Sequence, residues 1–270
     1  MPTDHVPRGH LRADHLSAGA LPAARSPGGR LPGGHLLGGR VIYHQPATGF
    51  RSGIEPVLLA ASVPARAGEH VLEAGTGVGA ALLCLGARMP GVRSAGVEVD
   101  PTAADLAAAN VRANALAGIE IITGRIETAV FHHPFDHAIA NPPYHPPNGT
   151  ASPDATLETA KRGSPALMSA WISRLGGVLR HRGTLTLIVP AAMIPACLAT
   201  MAENGCPCTV LFPLWPKAGR PAKLVLLRGV KNARTPMRLA AGLVLHAPDG
   251  SFTQAAQAIL RSGSALCLDG

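Results

Sequence analysis

Val71-Leu72-Glu73-Ala74-Gly75-Thr76-Gly77-Val78-Gly79 is the stretch that decides the fold of this 270-residue chain. A short apolar run that ends in three alternating glycines predicts a strand stopping at a tight loop. Glycine allows positive φ there and lets a ligand approach the backbone closely. Residues 80–88 follow, rich in Ala and Leu, and read as a helix. Strand, glycine loop and helix in that order place the loop at the carboxyl edge of an open α/β sheet, the usual ligand position.

The alternation continues outward. Residues 94–98, 119–123, 136–140, 184–189, 209–214 and 224–227 read as further strands. Residues 101–116 read as a helix with Pro101 in its first turn. Residues 165–180 carry Leu167, Trp171, Leu175 and Val178 at helical spacing, and 191–203 read as a helix despite Pro195. Repeated strand–helix units predict an α/β, Rossmann-like, mostly parallel sheet with helices on both faces. The first 40 residues are an aperiodic mix of Gly, Pro, His and Arg. The expected organisation is a flexible tail over 1–36, one domain over 37–262 and a short tail over 263–270. His5, His10, His15 and His35 read as solvated tail residues rather than a metal site.

Composition narrows the functional classes. The hydrophobic fraction of 47% excludes a disordered chain, and 3% aromatics means a core of Ala, Val, Leu and Ile. The net charge of +8 excludes an acidic solvating protein and points to an anionic partner. That charge is uneven. Residues 1–40 have five bases against two acids (+3), 41–160 have six against eleven (−5), and 161–270 have thirteen against three (+10). No run of about 18 apolar residues predicts a membrane span, and the N-terminus lacks the order of a signal peptide. Five cysteines, Cys84, Cys197, Cys206, Cys208 and Cys267, are an odd count that predicts a reduced, cytoplasmic protein. Cys206-Pro207-Cys208 is not a CxxC pair, so no metal site is expected.

The glycine loop has a second carboxylate partner. Glu98 closes the next predicted strand, 21 residues after Gly77, where an acid can accept hydrogen bonds from ribose hydroxyls. A dinucleotide fingerprint wants G-x-G-x-x-G; this loop is G-x-G-x-G with Glu73 before it. A carboxylate beside the loop repels a pyrophosphate and attracts an ammonium. S-adenosylmethionine (AdoMet) carries an ammonium, a sulfonium and a ribose but no phosphate, so charge favours AdoMet. A dinucleotide and a plain glycine-rich turn are the remaining alternatives.

Asn141-Pro142-Pro143-Tyr144 follows the fourth predicted strand. Two prolines give a stiff backbone with carbonyls and no N–H donors. Asn141 Oδ1 and the Pro142 carbonyl would form a rigid pair of acceptors for an amino group presenting two N–H bonds. Accepting both draws the amine lone pair out of the conjugated plane and frees it to attack a methyl group in line. Tyr144 offers a flat face for a planar base or amide. His145 is expected only to line the pocket. Both motifs follow strands at the same sheet edge, which makes the pair more specific than either alone.

In order, Glu73 to Gly79, then Gly96-Val97-Glu98, then Asn141 to Tyr144 resemble the Rossmann-like amino methyltransferases. More narrowly, the segment from Gly39-Arg40-Val41-Ile42-Tyr43-His44-Gln45-Pro46 to Glu55-Pro56-Val57-Leu58-Leu59-Ala60 looks like the lead-in helix of bacterial tRNA (adenine-N6)-methyltransferases acting on a valine tRNA. Lys217 to Lys223 and Leu245 to Thr253 also look like that family. The resemblance covers about residues 36–262. It implies a class I methyltransferase sheet of seven strands with the last antiparallel, AdoMet as cofactor, and an adenine near the anticodon as target. It also implies that Gln45 and residues 51–55 help enclose AdoMet. The implied cofactor set is Gln45, Glu73, Gly75, Thr76, Gly77, Gly79, Glu98, Val99 and Asn141. The third strand of such enzymes usually ends in an acid near the adenine of AdoMet; here Arg125 follows Gly124, with Glu127 two positions on, and Glu55 stands where the lead-in usually has Asp.

Residues 217–238 contain seven bases and no acid. Lys217, Arg220 and Lys223, with Lys161 and Arg162 after the NPPY loop, are the expected contacts to RNA phosphates. A protein glutamine N5-methyltransferase is an alternative, because NPPY suits an amide NH₂ equally well. So is another nucleic-acid amino methyltransferase, acting on guanine N2 of rRNA or adenine N6 of DNA.

Overall fold

In the computed structural model, which describes residues 33–46, 52–143 and 165–268, an antiparallel hairpin comes first: β1 (Gly33–Leu36) and β2 (Val41–His44). Then follow α1 (Glu55–Ser62), β3 (His70–Ala74), α2 (Ala80–Arg88), β4 (Arg93–Glu98), α3 (Pro101–Ala113), β5 (Ile119–Thr123) and β6 (Phe135–Ala140). The second half comprises α4 (Pro165–Val178), β7 (Leu179–Pro190), α5 (Ile194–Glu203), β8 (Cys208–Lys217), β9 (Leu224–Val230), β10 (Arg238–Leu239), β11 (Leu243–His246) and α6 (Gln254–Leu260).

The main sheet runs β5-β4-β3-β6-β7-β9-β8, and β9 is antiparallel to both its neighbours. These are the seven expected strands. Two short ones, β10 and β11, add parallel to the outer side of β8, giving nine among the described residues. Strand order reverses between β3 and β6, so the crevice at a topological switch point opens above their carboxyl ends.

Helices cover both faces, as expected. Leu58 and Leu59 of α1, Leu82, Leu83 and Leu85 of α2, and Ile259 of α6 bury against one face. Ile172 and Leu175 of α4 and Cys197 and Met201 of α5 bury against the other. The strands alternate accordingly: Leu185, Leu187 and Val189 of β7 point to the second cluster and Ile188 to the first. Local chemistry sets the helix ends. Asp100 caps α3 by accepting from Thr102 N at 2.9 Å, with Pro101 in the first turn. Pro195 is tolerated because it falls in the first turn of α5, after a 3₁₀ turn over Ala191–Met193.

Four expectations change. The segment at Val41 is a strand rather than a lead-in helix, because Val-Ile-Tyr suits a pleated edge and pairs with β1; the helix starts only at Glu55. The helix expected over 101–116 stops at Ala113, and Ala115 takes φ +52. The helix expected over 165–180 stops at Val178, where β7 begins. The packed fold reaches beyond both boundaries drawn at 37 and 262. β1 begins at Gly33, Leu268 is fully buried, and Leu266 N donates to Ala61 O at 2.8 Å. Among the described residues, no helix is long and apolar enough to cross a membrane.

Candidate active site at the carboxyl edge

All three loop glycines are left-handed: Gly75 at φ +65, Gly77 at +57 and Gly79 at +91. This curls the backbone so that Gly75 N and Thr76 N both donate to Val97 O, at 2.9 and 3.1 Å. Gly77 N donates to Glu98 Oε2 at 2.8 Å, while Asp100 N donates to Glu98 Oε1 at 2.9 Å. Glu98 is therefore fixed by one backbone donor on each oxygen. Each oxygen keeps acceptor capacity for a further donor such as a ribose hydroxyl. A Cβ on Gly77 would meet nothing within 4 Å, so open space lies over the loop at that point. At Gly75 the reason for glycine is different: a Cβ would fall 2.5 Å from Trp171 Cη2. Trp171 comes from α4, so that helix packs against the loop.

Glu73 does not sit beside the loop as an exposed anion. Strand alternation turns it inward beneath the loop, where it is 3% exposed and accepts from Thr76 Oγ1 at 2.6 Å. Burial pushes its carboxyl up to about 8; the Thr76 hydrogen bond opposes this and the neighbouring Glu98 adds to it. Its carboxyl is thus largely protonated at neutral pH, which corrects the simple charge argument made for it. Val99, the next residue after Glu98, is half exposed. Gln45 lies just past β2 and is partly buried. Arg125 and Glu127 pair with one another at 3.3 Å in the turn after β5, where Gly124 N donates to Glu98 O.

Asn141 follows β6 directly, and the register sets Ala140 opposite Ala74. The glycine loop and Asn141-Pro142-Pro143 therefore leave adjacent strands at the same level, about 4.8 Å apart across the sheet. Pro142 is buried. Tyr144, His145, Arg51, Lys161 and Arg162 lie outside the described residues.

The basic run divides into two. β8 is parallel to β3, so Lys217 and the β8–β9 turn with exposed Arg220 and Lys223 lie at the same sheet edge as the glycine loop. Lys217 Nζ donates to Pro248 O at 3.0 Å. β9 runs back, so Lys231 and Arg234 lie at the opposite edge, and Lys231 Nζ donates to Asn204 O at 3.1 Å. Arg228 is buried, donating to Thr186 Oγ1 and Ser62 O, and Arg238 donates to Leu268 O at 2.8 Å. Cys84, Cys197, Cys206 and Cys208 are free and buried. Burial pushes the Cys84 thiol up to about 12 and the other three up to about 11, which keeps them unreactive. Among the described residues no three His, Cys, Asp or Glu side chains are grouped to hold a metal ion.

Two residues of this edge escaped the sequence reading. Trp171 reads as ordinary core from its helical spacing, yet it is only partly buried and touches the loop. Asn110 is fully buried in α3. Its signal was an Asn inside an Ala-rich helix, where the residue is intrinsically unfavourable without a partner.

The Methyltransferase small domain family matches residues 55–188, from the first residue of α1 into β7, so the matched segment holds both the glycine loop and Asn141. A tRNA1(Val) (adenine(37)-N6)-methyltransferase of Porphyromonas gingivalis is 31% identical over 160 residues, covering 54% of this chain and 61% of that protein. A protein of the same name from a Flavobacteriaceae bacterium is 30% identical over 156 residues, covering 57% and 66%. The aligned part of the chain thus spans about three fifths to two thirds of these curated relatives. Among solved structures, a predicted O-methyltransferase of Agrobacterium tumefaciens superimposes with a TM-score of 0.67 at 20% identity, covering 80% of this chain and all of the other. A Listeria monocytogenes protein assigned as a class I S-adenosylmethionine-dependent methyltransferase gives 0.53 at 18% identity, covering 73% and 65%. Strand order, the antiparallel β9 and these superpositions agree: the chain has the class I AdoMet-dependent methyltransferase fold.

Proposed function

We propose that this chain transfers the methyl group of AdoMet to N6 of an adenine in tRNA near the anticodon. The observation that carries the reading is the register of β3 and β6, which sets the glycine loop beside Asn141-Pro142-Pro143. The names of the relatives support adenine N6 and tRNA as the acceptor.

The loop suits the cofactor. Open space over Gly77 admits a ligand against the backbone, Glu98 is oriented for a ribose, and Val99 presents an apolar surface to an adenine. Gly75, Thr76 and Gly79 shape the cradle, Gln45 closes it from just past β2, and the buried Glu73 holds the loop from below through Thr76. When bound, AdoMet supplies an electrophilic methyl on a sulfonium. Asn141 Oδ1 and the Pro142 carbonyl accept the two hydrogens of the target amine and draw its lone pair toward that methyl. Tyr144 stacks on the base. The amine becomes acidic as it is methylated and loses its proton to water, so positioning and electrostatics carry the catalysis without a strong general base. Arg220 and Lys223, at the same edge, face the anionic backbone of the acceptor, with Lys217 at the root of their turn and Lys161 and Arg162 as further contacts.

Asn141→Ala tests this assignment. Methyl transfer should fall by about 10²–10³, the range seen when one hydrogen-bonding group of a preorganised site is removed. AdoMet affinity should stay within a few-fold. Loss of AdoMet binding in the variant would mean that Asn141 holds the cofactor rather than the target.

A further inference from the structure

The β1–β2 hairpin stands outside the main sheet, yet one edge of β2 is fully hydrogen-bonded by side chains. Ile42 N donates to Asn114 Oδ1 at 2.8 Å, and Asn114 Nδ2 donates to Ile42 O at 2.7 Å. His44 N donates to Asn110 Oδ1 at 2.9 Å, and Asn110 Nδ2 donates to His44 O at 2.9 Å. Each amide presents one acceptor and one donor to one residue of the strand, as a neighbouring strand would. The spacing fits because four residues of helix rise about 6 Å and two residues of strand about 6.6 Å. α3 thus offers β2 a two-rung ladder.

The two rungs are not equivalent. The second N–H of Asn110 donates to Val78 O at 3.0 Å, inside the glycine loop, whereas the second N–H of Asn114 returns to Asn110 O in its own helix. Left-handed Gly77 and Gly79 flank Val78 and turn its carbonyl toward α3. Asn110 is fully buried and engages three of its four hydrogen-bonding positions; the two carbonyls and one N–H facing it fix which way the amide points. Its neighbours on either side are the loop that carries Gly77 and the strand that delivers Gln45.

We propose that Asn110 is a positioning residue for the methyl donor, joining the hairpin that carries Gln45 to the glycine loop so that both sides of the AdoMet cradle are set together. The inference rests on the AdoMet reading of the loop. Asn114 fastens the hairpin alone and serves as its internal control.

The test compares Asn110→Asp with Asn114→Asp in the full chain. Each keeps shape and acceptor and removes donation, but only the first orphans Val78 O. Calorimetric titration with AdoMet should show Asn110→Asp at least tenfold weaker than wild type and Asn114→Asp within threefold, although both lower the melting temperature. In steady state Asn110→Asp should raise KM for AdoMet while leaving KM for tRNA unchanged. Equal AdoMet affinity in Asn110→Asp and wild type would overturn the inference, as would equal weakening by both variants. A wild-type protein that fails to bind AdoMet would overturn the cofactor reading itself. Should Asn110→Asp not fold, hydrogen exchange on the wild type decides: AdoMet should slow exchange at residues 41–44 together with 75–79, and protection confined to the loop would contradict the coupling.

Discussion

Glu73 lies beneath the glycine loop, bonded to the Thr76 hydroxyl, with Glu98 and Cys84 as its ionisable neighbours. Its carboxyl titrates near 8 in the fold and near the ordinary 4.5 in an unfolded chain. Between those values the folded state holds a proton that the unfolded state has lost. Stability therefore falls as pH rises from about 4.5 to about 8 and is insensitive to this group outside that window. Glu73→Gln removes the titration. The variant should melt higher than wild type at pH 8.5, with the advantage gone at pH 4.5; an equal difference at both values would contradict the assignment. The same burial makes Glu73 a sensor of charge above the loop. A bound cation favours the ionised acid, so AdoMet binding at pH 7 should release a proton in wild type and none in Glu73→Gln. The dependence of calorimetric enthalpy on buffer ionisation measures this. The sequence showed that an acid stands at the strand end; the direction of its side chain depends on strand parity and on α2 packing over it, which no local pattern states.

At the scale of elements, the loop and α4 fit against one another through Gly75 and Trp171. Gly75→Ala forces a methyl against the indole and adds the strain of a left-handed alanine, about 1–2 kcal/mol for the backbone alone. It should lower the melting temperature and weaken AdoMet binding. Adding Trp171→Phe, which removes the contacting edge of the ring, should recover part of the loss; no recovery would place the whole effect in the backbone. The β8–β9 turn gives a second prediction. Replacing Lys217, Arg220 and Lys223 by Ala should raise KM for tRNA and flatten its log–log salt dependence by about 2, while Lys231→Ala with Arg234→Ala should change neither. An equal effect of the two sets would mean that RNA is not read from the site edge. In the sequence the seven bases of residues 217–238 follow one another with no acid between them. Strand reversal at β9 splits them, and Arg228, counted with the basic run, is buried because it directly follows the apolar run Leu224-Val225-Leu226-Leu227 within an interior strand.

For the whole molecule, the alternation of apolar runs with Ala/Leu-rich segments was enough to place the seven main strands and the helices α2 to α5, because each of these elements carries its own period. The elements it left out are short or depend on partners far along the chain. β10 has two residues, β11 has four, and β2 is held by asparagines 66 and 72 residues away. The uneven charge also gains a location. The acidic stretch of sequence contains the strands and loop of the proposed cofactor site, and the basic stretch brings only part of its charge to that edge.

Every role proposed for these residues depends on methyl transfer to adenine N6 in tRNA. This transfer is tested most directly by incubating the protein with methyl-labelled AdoMet and a mixture of total tRNA and cellular protein, then digesting the RNA to nucleosides. Label should be recovered as N6-methyladenosine and be absent from protein; label confined to protein, or to another nucleoside, would rule out adenine N6 of tRNA as the acceptor.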